Sequence, residues 1–399
     1  MAGFLVLVGL TGSLLAFLTE INQTLTPHLF PSSKPGTALK LGDLAVKAQT
    51  LLPRAEVKTV YVDSTGAAII SFEPRIDPAT GKPYEFDFNQ LFLDSGTGRE
   101  LGRRSVGDLP TGLDNLMPFL YQLHYNLSLQ RPGGIALGIV AVIWTVDCFV
   151  AFYLTLPARK KSTRSHQHAR QSVRRFWRRW KTAWQIKRKG SAYRINFDLH
   201  RAGGLWLWFM LLVFAWSSVG FNLHREVYRP VMGLFFELPV EDNPAGRAPV
   251  SSRTPLSWLE AQSVAERLMR EQARLHSFTI DEAIVLYRLI EPGRFRYQVR
   301  SSLDVREKRG ATSVEFDLYS GRLLKVDLPS GQYSGTTITQ WLFALHETNV
   351  FGLPYRIFVC FMGLAVVVLS VTGIIIWLRK RRSRAIHRSR ALRVSGKVV

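Results

Sequence analysis

Residues 357–378 read IFVCFMGLAVVVLSVTGIIIWL, a run of 22 residues without a charged side chain. At about 1.5 Å per residue, a helix of this length covers roughly 33 Å, which is enough to cross the hydrocarbon core of a bilayer. Three further apolar runs lie at Met1–Thr19, at Pro132–Pro157, where the only charge is Asp147, and at Ala202–Leu223. The sequence therefore predicts an α-helical integral membrane protein with four transmembrane helices. Four separate runs exclude a single soluble globule and a secreted enzyme with one cleaved signal peptide.

The net charge of +22 is concentrated in two segments. Between Ala158 and Phe197 there are 14 Lys or Arg and no acidic residue, and 9 more follow Leu378, again without an acid. This charge flanks apolar spans, as the positive-inside rule describes, so it predicts no nucleic-acid partner. Both basic segments are expected in the cytoplasm, and the segments 20–131 and 224–353 outside, in the periplasm. Tryptophans among the arginines of the loop predict an amphipathic helix on anionic membrane lipid.

The two external segments share one pattern. A helical periodicity at 39–52 precedes a Gly-containing hairpin at 90–101, and a helical periodicity at 256–275 precedes a second hairpin at 314–324. Each segment is therefore predicted to be a small α+β module, a helix on an antiparallel sheet. The order span, module, span occurs twice in the same direction, which predicts an internal parallel repeat.

Four histidines lie at predicted membrane boundaries. His124 and His346 precede the second and fourth spans on the outside, His200 begins the third span on the cytoplasmic side, and His224 ends it outside. Facing imidazoles on membrane helices can hold a haem iron through its two axial positions. The alternative is that boundary histidines only anchor the helices at the headgroups. The equivalent repeat positions of His124 and His346 favour the haem pair.

The same repeat predicts a partner for His200 ahead of the first span, at a position upstream of Met1. We therefore expect either that the chain starts further back or that one haem site has been lost. His166, His168 and His387 lie in the basic segments and are expected to be solvated.

Several stretches together resemble a known family: Leu10-Thr-Gly-Ser-Leu-Leu-Ala-Phe17, Asp198-Leu-His-Arg-Ala-Gly-Gly-Leu-Trp206, Leu345-His-Glu-Thr-Asn-Val-Phe-Gly-Leu-Pro354 and Val371-Thr-Gly-Ile-Ile-Ile-Trp-Leu378. With them the chain resembles the PepSY-associated transmembrane-helix proteins, and within these the FoxB and PiuB type of ferric-siderophore reductase. The resemblance implies one or two haems b that carry electrons across the bacterial inner membrane to a ferric siderophore in the periplasm. It implies His124 and His346 as periplasmic-side ligands and His200 as a cytoplasmic-side ligand, with His224 as an alternative.

The resemblance also sets the expected domain boundaries. These are transmembrane helices at 1–27, 119–157, 198–223 and 341–378, PepSY-like periplasmic modules at 28–118 and 224–340, a cytoplasmic loop at 158–197 and a cytoplasmic tail at 379–399. No Walker loop, Rossmann fingerprint or metalloprotease motif is present in the sequence, so the electron donor is expected to be quinol or a cytoplasmic reductase. Two other functions stay open: a cofactor-free regulator of a periplasmic peptidase, and an accessory protein of siderophore uptake that binds the chelate without reducing it.

Overall fold

The computed structural model describes residues 1–31, 38–107, 112–157, 169–187, 189–240 and 254–395. His166, His168 and the side chain of His387 lie outside the described part. The chain forms two compact units. The helical unit comprises Met1–Ala16, Gln122–Arg229 and Pro354–Val399, and the sheet unit comprises Phe17–Tyr121 and Pro230–Leu353.

The helices of the described residues are α1 (Ala2–Leu15), α2 (Leu18–Leu25), α3 (Leu41–Leu51), α4 (Leu116–Asn126), α5 (Gln130–Thr155), α6 (Ala169–Lys181), α7 (Ala192–Asn222), α8 (Arg229–Gly233), α9 (Trp258–Leu275), α10 (Ser334–His346) and α11 (Gly352–Ser395). Three of them, α5, α7 and α11, are long and apolar enough to cross a membrane. The chain is therefore a multi-pass membrane protein, as the sequence predicts.

The first predicted transmembrane helix, 1–27, is not one continuous helix. It is a bent pair, in which α1 and α2 meet at 70°. The 14 residues of α1 cover only about 21 Å, less than the hydrocarbon core. Glu20 and Asn22 in α2 are polar, so the apolar run ends before a full span is complete. The fourth span differs at its end, because α11 continues well beyond residue 378.

Small residues bring α1 and α11 into direct backbone contact. A Cβ atom on Gly9 would lie 2.7 Å from the carbonyl oxygen of Gly363, and one on Gly363 would lie 2.6 Å from the carbonyl oxygen of Gly9. The Ser13 hydroxyl donates to the carbonyl of Cys360 at 2.9 Å. Glycine at a crossing is typical of membrane helices, where association depends on close packing and not on the hydrophobic effect.

The sheet unit contains one antiparallel sheet of eight strands. The strands are β1 (Ala55–Val62), β2 (Ala67–Pro74), β3 (Gln90–Asp94), β4 (Glu100–Arg104), β5 (Ile280–Leu289), β6 (Arg294–Ser301), β7 (Thr312–Asp317) and β8 (Leu323–Asp327). Their order is β4-β3-β2-β1-β5-β6-β7-β8. The two predicted hairpins form β3–β4 and β7–β8, and each turns through a glycine with positive φ, at Gly98 and at Gly321.

The single sheet differs from the two separate modules that the sequence predicts. Strand β1 pairs with β5 through Thr59–Tyr287, Val60–Leu286 and Tyr61–Val285. Each segment alone would leave an unpaired edge strand, which exposes backbone N–H and C=O groups to wrong partners. Joining the two inner edges removes this exposure and leaves only β4 and β8 at the rims.

One hydrophobic core lies under this sheet and includes both module helices. Leu44 of α3, Leu268 of α9 and Phe295 of β6 all belong to it and are buried. The two helices also touch: the backbone N–H of Gly42 donates to the side-chain oxygen of Gln262 at 3.1 Å. The two halves therefore share a single core in addition to a single sheet.

Candidate functional site

His124 packs against a Thr-Gly pair of α1. Its Nδ1 lies 2.9 Å from Oγ1 of Thr11, and its ring carbon Cε1 lies 3.0 Å from the position of a Cβ atom on Gly12. The imidazole also hydrogen-bonds the backbone carbonyl of Val8. Thr11 donates its own proton to the carbonyl of Leu7 at 2.9 Å. We call Thr11, Gly12 and His124 the first Thr-Gly site.

His200 makes the same set of contacts with α11. Its Nδ1 lies 3.1 Å from Oγ1 of Thr372 and 3.0 Å from the backbone carbonyl of Leu369. Its Cε1 lies 3.1 Å from the position of a Cβ atom on Gly373. Thr372 donates its own proton to the carbonyl of Val368 at 2.8 Å. We call Thr372, Gly373 and His200 the second Thr-Gly site.

The hydrogen bonds of His200 fix the tautomer of its ring. Because the backbone carbonyl of Leu369 can only accept, Nδ1 of His200 donates to it, and the Thr372 oxygen, whose proton goes to Val368, can accept as well. Nδ1 therefore carries the ring proton and Nε2 carries the lone pair that can bind a metal. Both hydrogen bonds that His200 makes with the described residues involve Nδ1. In each site, the glycine leaves room for the ring where any other residue would press a Cβ against it.

The two Thr-Gly sites lie at opposite ends of the helical unit. His200 lies near the beginning of α7. The α4–α5 junction, just after His124, lies at the other end of α7, because a Cβ on Gly134 would be 3.3 Å from Oδ1 of Asn222. The unit therefore places one anchored imidazole towards each end of its helices.

Strained backbone forms the junction next to His124. Leu127, Ser128 and Gln130 adopt left-handed φ values of 57°, 55° and 55°. Residues other than glycine adopt this conformation at a cost of about 1–2 kcal/mol each. Asn126 holds the junction, since its Oδ1 accepts the backbone N–H of Ser128 at 3.0 Å. Gly133 of α5 allows the backbone carbonyl of Asn126 to lie close to α5, because a Cβ atom at this position would clash with that carbonyl.

A buried carboxylate fixes the start of α7 next to His200. Asp198 is fully buried and accepts from Nε of Arg194 at 3.0 Å and from Nη2 of Arg201 at 2.8 Å. Arg201 also donates to the carbonyls of Thr182 and Ala183. Two arginines satisfy the charge that burial would otherwise disfavour. These contacts position the helical turn that carries the second Thr-Gly site.

His224 and His346, the other two predicted ligands, have different surroundings. His224 is exposed at the start of a π-helical turn, where its ring stacks on Tyr228 at a centroid distance of 5.4 Å. His346 is half-buried at the end of α10 and belongs to the sheet unit, whereas His124 belongs to the helical unit. The pairing of His124 with His346 stays a prediction. Among the described residues, no group of three or more His, Cys, Asp or Glu side chains is arranged to hold a metal ion.

The basic loop contains the predicted amphipathic helix, α6. Trp180 packs on Phe152 of α5 at a centroid distance of 5.9 Å, and its indole N–H donates to Thr155 at 3.2 Å. Arg174, Arg175, Arg178 and Arg179 are exposed. The aromatic residues therefore attach α6 to the end of α5 and leave the arginines at the surface.

The sequence prediction named both imidazoles of the Thr-Gly sites but not the residues that hold them. Thr11, Gly12, Thr372 and Gly373 come from remote parts of the chain. The signal that could have found them is the dipeptide itself, which recurs in two apolar runs, where a hydroxyl and a glycine together suit a buried imidazole.

One known protein family matches nearly the whole chain. No curated protein matches it. The family model described as PepSY-associated TM region matches residues 1–380. The apolar helices of the chain and its antiparallel sheet with two packed helices are consistent with this family. The chain therefore belongs to the family of the PepSY-associated TM region.

Proposed function

We propose that this protein is a haem-b electron carrier of the bacterial inner membrane that reduces ferric siderophores in the periplasm. The observation that carries the proposal is the pair of Thr-Gly sites, one towards each end of the helical unit. An electron carrier that spans a membrane needs a redox group near each face. The sequence resemblance to FoxB and PiuB type reductases supports the same function.

The residues of the Thr-Gly sites fit axial ligation of a haem iron. Metal-bound histidines usually donate their second ring N–H to a carbonyl or hydroxyl, which fixes the ring and raises the basicity of the bound nitrogen. His200 has this arrangement through Leu369 and Thr372. Glycine at the ring, as at Gly12 and Gly373, keeps the ligand from being crowded by a side chain. A cytoplasmic-side haem would be held by His200, and a periplasmic-side haem by His124 with His346 or His224.

The protein residues provide positioning and a partly buried environment. A bound haem supplies a reversible one-electron step between Fe(III) and Fe(II). Thr372 is buried and His200 is half-buried, and the Leu369 carbonyl with Thr372 keeps the ring proton of His200 on Nδ1. One electron delivered to the substrate converts Fe(III) to Fe(II), which binds the hard oxygen donors of a siderophore less tightly and is released. The electrons come from quinol or from a cytoplasmic reductase.

The distribution of charge supports the orientation. By the positive-inside rule, the 14 basic residues between Ala158 and Phe197 and the 9 that follow Leu378 favour a cytoplasmic position for α6 and for the end of α11. In this orientation the sheet unit lies in the periplasm, where it would receive the ferric siderophore. Anionic lipids of the inner leaflet attract the exposed arginines of α6.

The absorption spectrum of the purified full-length protein tests the proposal. We expect a Soret band, a pyridine haemochrome of haem b, and anaerobic reoxidation of the dithionite-reduced protein by a ferric hydroxamate siderophore, with ferrozine trapping the Fe(II). His124→Ala should remove the low-spin component of the periplasmic-side haem, and His200→Ala should remove the component of the cytoplasmic-side haem.

His276→Ala is the matched control, since His276 is an exposed residue at the end of α9. A colourless protein would refute the proposal and favour the cofactor-free peptidase regulator. A haem protein that no ferric chelate reoxidises would favour the accessory role in uptake.

A further inference from the structure

The sheet unit contains two arginines near the join of its two halves. Tyr61 lies on β1 at the pair that joins it to β5. The guanidinium of Arg309, which lies in the loop after β6, is close enough to the phenol of Tyr61 to interact with it. Arg306 in the same loop pairs with Glu347, the residue that follows α10. We call Tyr61, Arg306, Arg309 and Glu347 the arginine cluster.

Arg306 has donor capacity that the protein does not use. Its Nη1 lies 3.4 Å from Oε2 of Glu347, which is a loose ion pair. Its Nε is buried and has no acceptor among the described residues. The guanidinium carbon lies 6.0 Å from the ring centroid of Phe343, and the side chain is only 15% exposed. A buried N–H without an acceptor costs about 1–3 kcal/mol, so an acceptor from a ligand would remove this penalty.

The arginine cluster contains two arginines against one glutamate, and Asp63 adds a carboxylate close to Tyr61. Burial raises the pKa of Tyr61 although Arg309 opposes the shift, so its phenol keeps its proton and adds a neutral hydroxyl beside the cations. Glu347 and the ring of Tyr121 lie close enough to Arg309 to interact with it electrostatically. The buried Nε of Arg306, which has no acceptor among the described residues, is therefore the group of the cluster that calls for a further acceptor.

The chemistry of the donors selects the kind of anion. A guanidinium presents parallel N–H groups that match the two oxygens of a planar carboxylate. Glu347 shows that Arg306 already binds a carboxylate of the protein itself. We propose that Arg306 and Arg309, together with Tyr61, form a binding site for the carboxylate group of a ligand.

Two ligands could supply this carboxylate, and naming them rests on the proposed function. Glu347 directly follows His346, so the arginine cluster adjoins a predicted haem ligand in sequence. The first source is a propionate of haem. The second is a carboxylate of the ferric chelate itself.

Binding measurements on the full-length protein in detergent distinguish these sources. Haemin is titrated into haem-depleted protein and followed by the Soret band, and ferric citrate is titrated separately and followed by tryptophan fluorescence. The variants are Arg306→Gln, Arg309→Gln and Tyr61→Phe. The control is Arg300→Gln, because Arg300 is partly exposed and binds Asp281, Glu282 and the backbone carbonyl of Glu307 but not the arginine cluster itself. Loss of a charge-assisted hydrogen bond should weaken binding of one probe by about tenfold or more.

Each outcome bears on the proposal. Weaker binding of haemin alone identifies a propionate site, and weaker binding of ferric citrate alone identifies a site for the chelate. Binding of both probes within twofold of the Arg300→Gln control overturns the proposal, as does failure of the unmodified protein to bind either probe. If Arg309→Gln does not fold, Arg306→Gln and Tyr61→Phe decide the result. Because ferric citrate binding is measured without haem, a protein that never binds haem would refute the proposed function without deciding this one.

Discussion

At the scale of single residues, the tautomer of His200 depends on one hydroxyl and one carbonyl. Thr372 accepts the ring N–H at 3.1 Å while it donates to its own helix. An alternative in which His200 is simply a packed core residue would need no such fixed proton. The role of the hydroxyl can therefore be measured separately from the role of the ring.

We expect Thr372→Val to weaken haem retention at the second Thr-Gly site by about 10–100-fold, the usual effect of removing a hydrogen-bond partner of a metal ligand. The shape of the side chain is kept, so the fold should be unchanged. Haem loss to excess apomyoglobin, followed by absorption, measures the effect. Thr145→Val is the matched control, because Thr145 of α5 donates only to Ala141 of its own helix. Equal rates of haem loss in the two variants would contradict the role of Thr372.

At the scale of helices and strands, contacts between small residues decide which elements pack together. Gly363 and Gly9 allow α1 and α11 to meet at the backbone, whereas Gly204 of α7 has nothing within 4 Å of its would-be Cβ. Substitution by alanine should therefore change the stability of the protein in opposite directions at these two glycines.

Gly363→Ala should lower the melting temperature, because the new methyl group would press on the carbonyl of Gly9 and on Ser13. Gly204→Ala should leave it unchanged or raise it, since alanine is favoured over glycine inside a helix by about 0.5–1 kcal/mol. Thermal unfolding in detergent, monitored by tryptophan fluorescence, gives both values. A Gly363→Ala variant as stable as Gly204→Ala would show that the crossing tolerates a larger separation.

The contact between α3 and α9 predicts a pH dependence. Burial alone would raise the pKa of Glu266, but hydrogen bonds from Gln262 and Lys40 outweigh it and hold that pKa below its usual value. A depressed pKa means that the ionised carboxylate stabilises the fold above the unfolded pKa, near 4.3, and that this stabilisation is lost as the pH falls through the folded pKa. The pair is partly exposed, so its contribution is about 0.2–1 kcal/mol.

Glu266→Gln should therefore destabilise the protein at pH 7 by about 0.2–1 kcal/mol and have a much smaller effect at pH 3. Urea unfolding at both pH values measures the difference. Glu271→Gln on the same helix serves as the control, because Glu271 is exposed and forms no ion pair with the described residues. A loss that is equal at both pH values would indicate that the amide disturbs packing instead.

At the scale of the whole molecule, the orientation in the membrane is open to direct measurement. Ser320 lies in the turn between β7 and β8, and Ser383 lies near the end of α11, and both are exposed. Single cysteines at these positions require a background in which Cys148 and Cys360 are replaced. We expect a membrane-impermeant maleimide to label Ser320→Cys in intact spheroplasts and to label Ser383→Cys only after permeabilisation. Labelling in the reverse pattern would place the sheet unit in the cytoplasm.

Local patterns explain how much of this molecule the sequence could predict. Apolar runs with at most one charged residue predicted α5, α7 and α11, and the glycines at 98 and 321 predicted the hairpin turns, since each signal lies within a short stretch of sequence. The join of β1 to β5, the Thr-Gly sites and the arginine cluster could not be predicted this way. The paired residues at the join and in the Thr-Gly sites are separated by more than 100 residues, as are Tyr61 and Arg309, so no local sequence pattern predicts their contacts. The bend after α1 was missed because the apolar count alone did not weigh Glu20 and Asn22.

The pairing of β1 with β5 joins two strands that are synthesised at different times. The sheet can therefore be completed only after β5 has been made. Strands β1–β4 leave the ribosome before α7 is made, whereas β5 follows it, so the inner edge of β1 stays open while the third membrane helix is being inserted. During that interval Lys58, held by Glu56 and Glu73 at 3.1 Å, puts a charge on the waiting strand, which discourages pairing with another chain. Completion of the sheet therefore follows the synthesis of α7. A chain that stopped at this point would carry a half-sheet with one open inner edge.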